Sequence, residues 1–215
     1  MGGWKAVVFD LDGTLTDTLG DLAAATNEAL RRHGFPACPL ESYRHMVGNG
    51  ARKLIERALG GACTPERTEQ VLQDFLKIYD ADCLRYTRPY DGVEEVLAFF
   101  RAKGVRMAVV TNKPEKQARK IVRHFFGEEL SPVYGGSPER RAKPDPGTVW
   151  QVLKELGVQR EEALYVGDSD VDILTAKNAG VTGAGACWGF RGKEELRRAG
   201  ADILLESPRD LIKTY

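Results

Sequence analysis

Five short apolar runs recur along this chain, and their spacing sets what it can fold into. They are Lys5-Ala6-Val7-Val8-Phe9, Val105–Val110, Ala163–Val166, Val181–Ala186 and Asp202–Leu205, with a fainter sixth at Pro132-Val133-Tyr134. Runs this short, rich in β-branched residues, read as strands buried on both faces of a parallel sheet. Parallel neighbours need a crossover between them, usually a helix. From about residue 91 the chain supplies such crossovers. Val93, Val96, Leu97 and Phe100 share one helical face, after a candidate N-cap at Asp91 and before a stop at Gly104. Ile121, Val122 and Phe125 mark a second helix, which Pro114 would open; Val149, Val152, Leu153 and Leu156 mark a third, closed by Gly157. The alternation predicts an α/β fold: a doubly wound, mostly parallel, Rossmann-like sheet with right-handed crossovers.

Residues 16–86 break that rhythm and hold no strand-like run. Leu19, Leu22, Ala23, Thr26 and Leu30 recur at three-and-four spacing, as do Val71, Leu72, Phe75, Leu76 and Tyr79. Gly34, Pro36 and Pro39, and later Gly60, Gly61 and Pro65, separate the helices. This predicts a catalytic core of residues 1–15 and 87–215, with residues 16–86 inserted as a helical cap subdomain.

Composition narrows the function classes. With 215 residues, 42% apolar and 29% charged, the chain can bury a core and is not disordered. Its 31 basic residues balance 31 acidic ones, so there is no general field to attract nucleic acid or an anionic membrane. Cys38, Cys63, Cys83 and Cys187 are far apart with no CxxC pair, as expected of reduced thiols in a cytoplasmic protein. Met1-Gly2-Gly3-Trp4-Lys5-Ala6 has no charged-then-apolar leader, and Ala6 does not fit a myristoylation signal. No apolar run approaches the roughly 18–20 residues a membrane span needs. The expected partner is a small molecule.

Ligands of open α/β sheets bind beyond the carboxyl ends of the strands, where the strand order reverses. Four such places carry suggestive residues: Asp10-Leu11-Asp12-Gly13-Thr14, Thr111-Asn112-Lys113, Ala142-Lys143-Pro144-Asp145-Pro146, and Gly167-Asp168-Ser169-Asp170-Val171-Asp172. Asp10 and Asp12, two apart in extended chain, point the same way and repel unless a cation lies between them. All-oxygen ligands without histidine or thiolate favour Mg2+. Taken alone, the pentapeptide could also be a simple Asp-Gly turn. One of Asp168, Asp170 and Asp172 could merely cap the following helix, but three acids in five residues exceed what a cap needs. Thr111 alone reads as an ordinary strand-end residue. Lys143, among prolines, sits on a stiff segment suited to meeting a phosphate in one geometry. His33, His45 and His124 lie without partners in helical or near-helical segments and read as structural or exposed. Searches for a P-loop, a nucleophile elbow and a dinucleotide fingerprint fail: Glu194 follows Gly192-Lys193, and Trp188 stands where the last glycine of a GxGxxG would be.

Taken together, these four motifs resemble those of the haloacid dehalogenase-like superfamily of phosphatases. The resemblance covers essentially the whole chain: a DxDGT-type motif at Asp10–Thr14, the strand-end Thr111, the loop Lys143, and a GDxxxD-type motif from Gly167 to Asp172. It implies that Asp10 is a nucleophile forming an aspartyl-phosphate, and that Asp12 is the general acid and then base. It implies too that Thr111 and Lys143 hold phosphoryl oxygens, and that Mg2+ is the cofactor. Asp10, the Asp12 carbonyl and Asp168 would hold the metal, with Asp172 behind them. The dehalogenases lack an aspartate equivalent to Asp12, as do the phosphonate hydrolases, so its presence implies phosphate-ester chemistry.

Met46-Val47-Gly48-Asn49-Gly50-Ala51-Arg52 and Ala186-Cys187-Trp188-Gly189-Phe190 are most similar to phosphoglycolate phosphatases of that superfamily. By that resemblance Gly48, Asn49, Arg52 and Asn112 join Thr111 and Lys143 as substrate-binding candidates. Arg44, Arg52 and Lys53 are the cap cations that could meet a substrate carboxylate. The alternatives are a β-phosphoglucomutase-like mutase, a pyrophosphatase, a sugar-phosphate phosphatase, or a non-catalytic phospho-ligand binder. The last would be marked by loss of a catalytic acid, and none is missing.

Overall fold

The computed structural model describes residues 3–61 and 63–215; the Met1-Gly2 start, read above for targeting signals, lies outside the described residues, as does Ala62. In chain order its elements are β1 (Ala6–Phe9), β2 (Thr16–Asp17), α1 (Leu19–Arg32), α2 (Tyr43–Met46), α3 (Ala51–Ala58), α4 (Pro65–Ala81), β3 (Arg88–Pro89) and α5 (Val93–Ala102). Then follow β4 (Arg106–Pro114), α6 (Glu115–Phe126), β5 (Val133–Gly136), α7 (Gly147–Leu156), β6 (Ala163–Gly167), α8 (Asp170–Ala179), β7 (Thr182–Ala186), α9 (Lys193–Ala199) and β8 (Ile203–Leu205).

The main sheet runs β5-β4-β1-β6-β7-β8, every pair parallel. Strand alternation sorts its side chains onto two faces. Ala6 and Val8 join Ala108, Val110, Ala163 and Tyr165 in one apolar cluster. Val7 and Phe9 join Met107, Val109, Leu164 and Val166 in the other. That second cluster continues without a break into Leu22 of α1, Leu54 of α3 and Phe75 and Tyr79 of α4. The inserted helices are therefore seated on the core. The chain moves outward from β1 through β4 to β5, then returns to β6 on the other side of β1. The order reverses at β1, which puts the ligand crevice at the carboxyl ends of β1, β4 and β6.

Three expectations need correction. Residues 16–86 are not strandless. Thr16 pairs with Pro89 and Asp17 with Arg88, so the two crossings between core and inserted helices run side by side as the antiparallel ribbon β2–β3. Two residues per strand leave no period for a sequence to display. Asp91 does not cap α5: Gly92, at φ +86°, takes the N-cap, and the Asp91 carboxylate accepts from Arg209 at 2.8 Å. Finally, β4 runs on past Val110 to Pro114, which pairs with Gly136 of β5.

The return crossing is tied down by a buried charge. Asp21 of α1 accepts from the backbone N–H of Tyr86 at 2.9 Å and of Thr87 at 2.8 Å, and from the Thr87 hydroxyl at 2.7 Å. A buried carboxylate needs such donors, so sequence-distant residues 21 and 87 are fixed together. No described helix is long and apolar enough to cross a membrane. All four cysteines are free thiols.

Candidate active site

Where β1 ends, the Asp10 N–H donates to Val166 O at 2.8 Å, carrying the β1–β6 pairing one residue further. The chain then turns tightly: the N–H groups of Thr14, Leu15 and Thr16 all donate to Leu11 O. Gly13 makes this turn at φ +84°, and a Cβ there would also collide with the Asp168 carboxylate. Asp10 and Asp168 are thus brought together by close backbone approach that only glycine permits.

Lys143 stands at the centre of the buried end of the site. Its ammonium donates to Asp172 Oδ1 at 2.6 Å and to the Tyr165 hydroxyl at 3.1 Å. It lies 2.9 Å from Asp10 Oδ1, an ion-pair distance. Its aligned hydrogen bonds go to the other two partners, and Asp10 Oδ1 is buried without one. Burial alone would disfavour the ammonium, but Asp10 and Asp172 together outweigh it and hold its pKa well above the usual lysine range. Asp172 also accepts from Ser169 N–H at 3.1 Å and Ser169 Oγ at 2.6 Å. These bonds form a capping box that starts α8. One acid therefore caps the helix and pairs with the lysine.

Three carboxylates share this end with one ammonium. One oxygen from each of Asp10, Asp168 and Asp172 lies within 4.8 Å of the others, and all three residues are buried. Burial, with Asp172 and Asp12 nearby, pushes the Asp10 carboxyl up to about 6 despite Lys143. Burial beside Asp172 and Asp10 likewise holds Asp168 well above the ordinary carboxylate range. Excess negative charge, hard oxygen donors and an orphaned Asp10 oxygen together fit a divalent cation.

The outer end is built differently. Asp12 accepts from the Thr18 hydroxyl at 2.8 Å, and its two oxygens accept from Lys113 at 2.7 and 3.0 Å. Lys113 also donates to the Tyr79 hydroxyl of α4 at 2.6 Å. Beside Asp10 and Asp12 lies a cleft of about 30 Å³. Asp10, Asp12, Thr111, Asn112 and Lys113 line it from the core, and Gly48, Leu54, Phe75 and Tyr79 are among those facing them from the inserted helices.

Asp10, Asp12, Thr111, Asn112 and Gly48 therefore meet at one cleft, with Lys143, Asp168 and Asp172 beside Asp10. Asn112 has its side chain fully engaged: its amide donates to Gly48 O at 3.0 Å and Lys143 O at 3.3 Å, and its oxygen accepts from Lys143 N–H at 2.8 Å. Asn49 and Arg52 do not reach the cleft. The Asn49 oxygen accepts from Arg57 at 2.6 Å, and Arg52 pairs with Glu69 on the exposed surface of the helices. Arg44 and Lys53 likewise pair with Glu41 and Glu56.

Sequence reading missed Lys113 and Tyr79 as a pair, Tyr165, Thr18 and the Phe190 backbone N–H, which donates to Asp168 Oδ2 at 2.7 Å. A signal existed for Lys113, a charged residue continuing a buried strand. None existed for Tyr79, which reads as one more apolar position of α4. The Ala186–Phe190 stretch supports the Asp168 side of the site: a Cβ at Gly189 would strike Asp168 and Gly13 O, and Trp188 donates to Thr14 O at 3.0 Å.

Comparison with known proteins agrees with this arrangement. The profile of the family described as haloacid dehalogenase-like hydrolase matches residues 7–186. Phosphoglycolate phosphatase 1 of Pseudomonas aeruginosa is 37% identical over 214 residues, covering 97% of this chain and 78% of that protein. An N-acetylmuramic acid 6-phosphate phosphatase from the same organism is 36% identical, covering 97% of this chain and 93% of that one. Among solved structures, a predicted phosphoglycolate phosphatase from Haemophilus somnus superposes with a TM-score of 0.90 at 29% identity, covering 99% of this chain and 98% of that one.

Proposed function

The chain belongs to the haloacid dehalogenase-like hydrolase family, and from that premise we propose that it is a Mg2+-dependent phosphatase of a small phosphate monoester, working through an aspartyl-phosphate. The observation that carries this reading is the Asp10 carboxylate: buried, with one oxygen lacking an aligned donor, beside a lysine and two further acids.

Asp10 attacks phosphorus while Asp12, two residues on, protonates the departing alkoxide. In the second half Asp12 takes a proton from water, whose oxygen attacks the phosphoryl group and releases Asp10 and inorganic phosphate. General acid–base help of this kind contributes typically about 10²–10⁴-fold. Thr111, whose Oγ1 accepts the Lys113 N–H at 3.3 Å, keeps its hydroxyl proton for a phosphoryl oxygen. Lys143 steadies the same oxygens and offsets the charge of Asp10. Asp10 and Asp168, with the Asp12 carbonyl, would hold the cation, and Asp172 would orient the set through Lys143 and Ser169. When bound, the cation supplies the positive charge that lets an anionic nucleophile meet an anionic phosphoryl group. Residues 16–86 act as a cap that closes over residues 1–15 and 87–215 and excludes water.

The favoured substrate is 2-phosphoglycolate, giving glycolate and phosphate. Its support is the name borne by the Pseudomonas aeruginosa relative. A sugar phosphate is the second reading, favoured by the N-acetylmuramic acid 6-phosphate phosphatase at nearly equal identity. A phosphate-release screen over small phosphate esters with Mg2+ tests both. Preference for 2-phosphoglycolate supports the first, preference for a hexose 6-phosphate replaces it with the second, and isomerised product without phosphate release would mark a mutase.

A further inference from the structure

We propose that Lys113, together with Tyr79, is the specificity-determining site for a carboxylate on the substrate, and that the substrate's own anion frees Asp12 for its work. The inference rests on the phosphatase reading and adds to it the group that selects the ester. Among the described residues lining the cleft, Lys113 is the one cation. The cap cations Arg44, Arg52 and Lys53 all pair with glutamates elsewhere. Leu22, Val47, Leu54 and Phe75 wall the same space, so a second anionic group entering there would be stranded unless Lys113 received it.

The geometry also gives Lys113 something to release. Its ammonium engages both oxygens of Asp12, at 2.7 and 3.0 Å. An acid that must present a proton to a leaving oxygen needs one of those oxygens turned toward it. Tyr79 accepts from Lys113 at 2.6 Å, and its own hydroxyl proton reaches no acceptor among the described residues. An incoming carboxylate accepts from Tyr79 and draws off one of the Lys113 contacts, leaving an Asp12 oxygen to face the ester. Because Tyr79 belongs to α4 and Lys113 to β4, this receptor is complete only with the helices seated. Recognition of the substrate's far end and readiness of the acid are then one event.

The test compares two esters that differ only at that end, 2-phosphoglycolate and 2-hydroxyethyl phosphate, by kcat/KM with Mg2+ present. Wild type is expected to prefer the carboxylate on the order of 10²-fold, the scale of one buried charge pair. In Lys113→Met both rates fall but the preference drops toward unity; Lys113→Arg keeps much of it, and Tyr79→Phe loses part, chiefly through KM. Equal loss on both esters in Lys113→Met, with the preference intact, overturns the proposal and leaves Lys113 as a structural partner of Asp12. A wild type with no preference between the esters overturns it too. If wild type cleaves neither ester yet releases phosphate from others, both the proposal and the 2-phosphoglycolate reading fail while the phosphatase reading stands. If it releases phosphate from no ester, that reading falls as well. Unchanged circular dichroism in the variants assigns each loss to the site rather than to folding.

Discussion

Lys143 and Lys113 are both buried ammonium groups, one behind Asp10 and one lining the cleft beside Asp12, yet they are held in opposite ways. Lys143 is surrounded entirely by the core: Asp10 after β1, Asp172 in α8, Tyr165 in β6 and the backbone clamp of Asn112. Lys113 bridges two parts of the molecule, with Asp12 on the core and Tyr79 on the inserted helices. The first faces more negative charge than it can neutralise, the second faces one carboxylate and is balanced. The difference separates two tasks that any phosphatase must combine. In the proposed mechanism the end with surplus negative charge receives the cation and the phosphoryl group, and the balanced end exchanges one anion for another.

The sharpest way to break this contrast is at the surplus end. Asp10→Asn should abolish turnover, a loss on the order of 10⁴-fold or more for a covalent nucleophile, with circular dichroism unchanged; substantial residual phosphate release would remove Asp10 from that role. Chelation with EDTA should stop activity and added Mg2+ restore it, whereas indifference to chelation would undo the reading of Asp10, Asp168 and Asp172 as a cation site. Lys143→Met should cost turnover about 10²–10³-fold. It leaves two buried acids without their counter-ion, so denaturant unfolding of the metal-free chain should show a loss of about 3–5 kcal/mol. Lys113→Met, which strands one acid, should be the milder of the two in the same assay.

A smaller effect follows from the raised Asp10 carboxyl. Its pKa of about 6 lies above the ordinary value of 3.8, so without metal the folded chain holds that proton more tightly than the unfolded chain. This contribution to stability is complete below the ordinary value and is lost as pH rises through about 6. The melting temperature of Asp10→Asn in EDTA should therefore gain on the parent as pH goes from 4 to 8. A constant or shrinking gap would contradict the burial of Asp10 beside two further acids as the cause of its raised carboxyl. Smallest of all, Arg52→Ala should change kcat/KM less than about twofold, since an exposed ion pair contributes little; a large effect would bring Arg52 back toward the cleft.

How much was legible beforehand follows from the range of each interaction. Asp10, Asp168 and Lys143 sit at strand ends or on a proline-stiffened loop, where apolar periodicity stops abruptly and a charged residue stands out. Parallel strands must be buried on both faces, so β1, β4, β6, β7 and β8 could be read from short runs alone. The β2–β3 ribbon could not, because it pairs Thr16 with Pro89 through contacts between residues far apart in sequence. Tyr165 shows the same limit. Within Ala163-Leu164-Tyr165-Val166 it is one more buried strand position, and only the fold brings its hydroxyl to Lys143 and to Val110 O at 2.9 Å. Arg52 and Asn49 illustrate the converse. Their glycine-flanked stretch does reach the cleft, through Gly48 and Gly50, but α3 begins at Ala51 and carries the Arg52 side chain outward to Glu69.

The Asn112 amide gives the molecule an asymmetric fastening. Of its three bonds, one holds the Gly48 carbonyl and two hold the main chain of Lys143. Should the helical layer lift away, only the first of these must part. The loop that carries Lys143 stays gripped on both its donor and acceptor sides, so its place against the core does not depend on the helices.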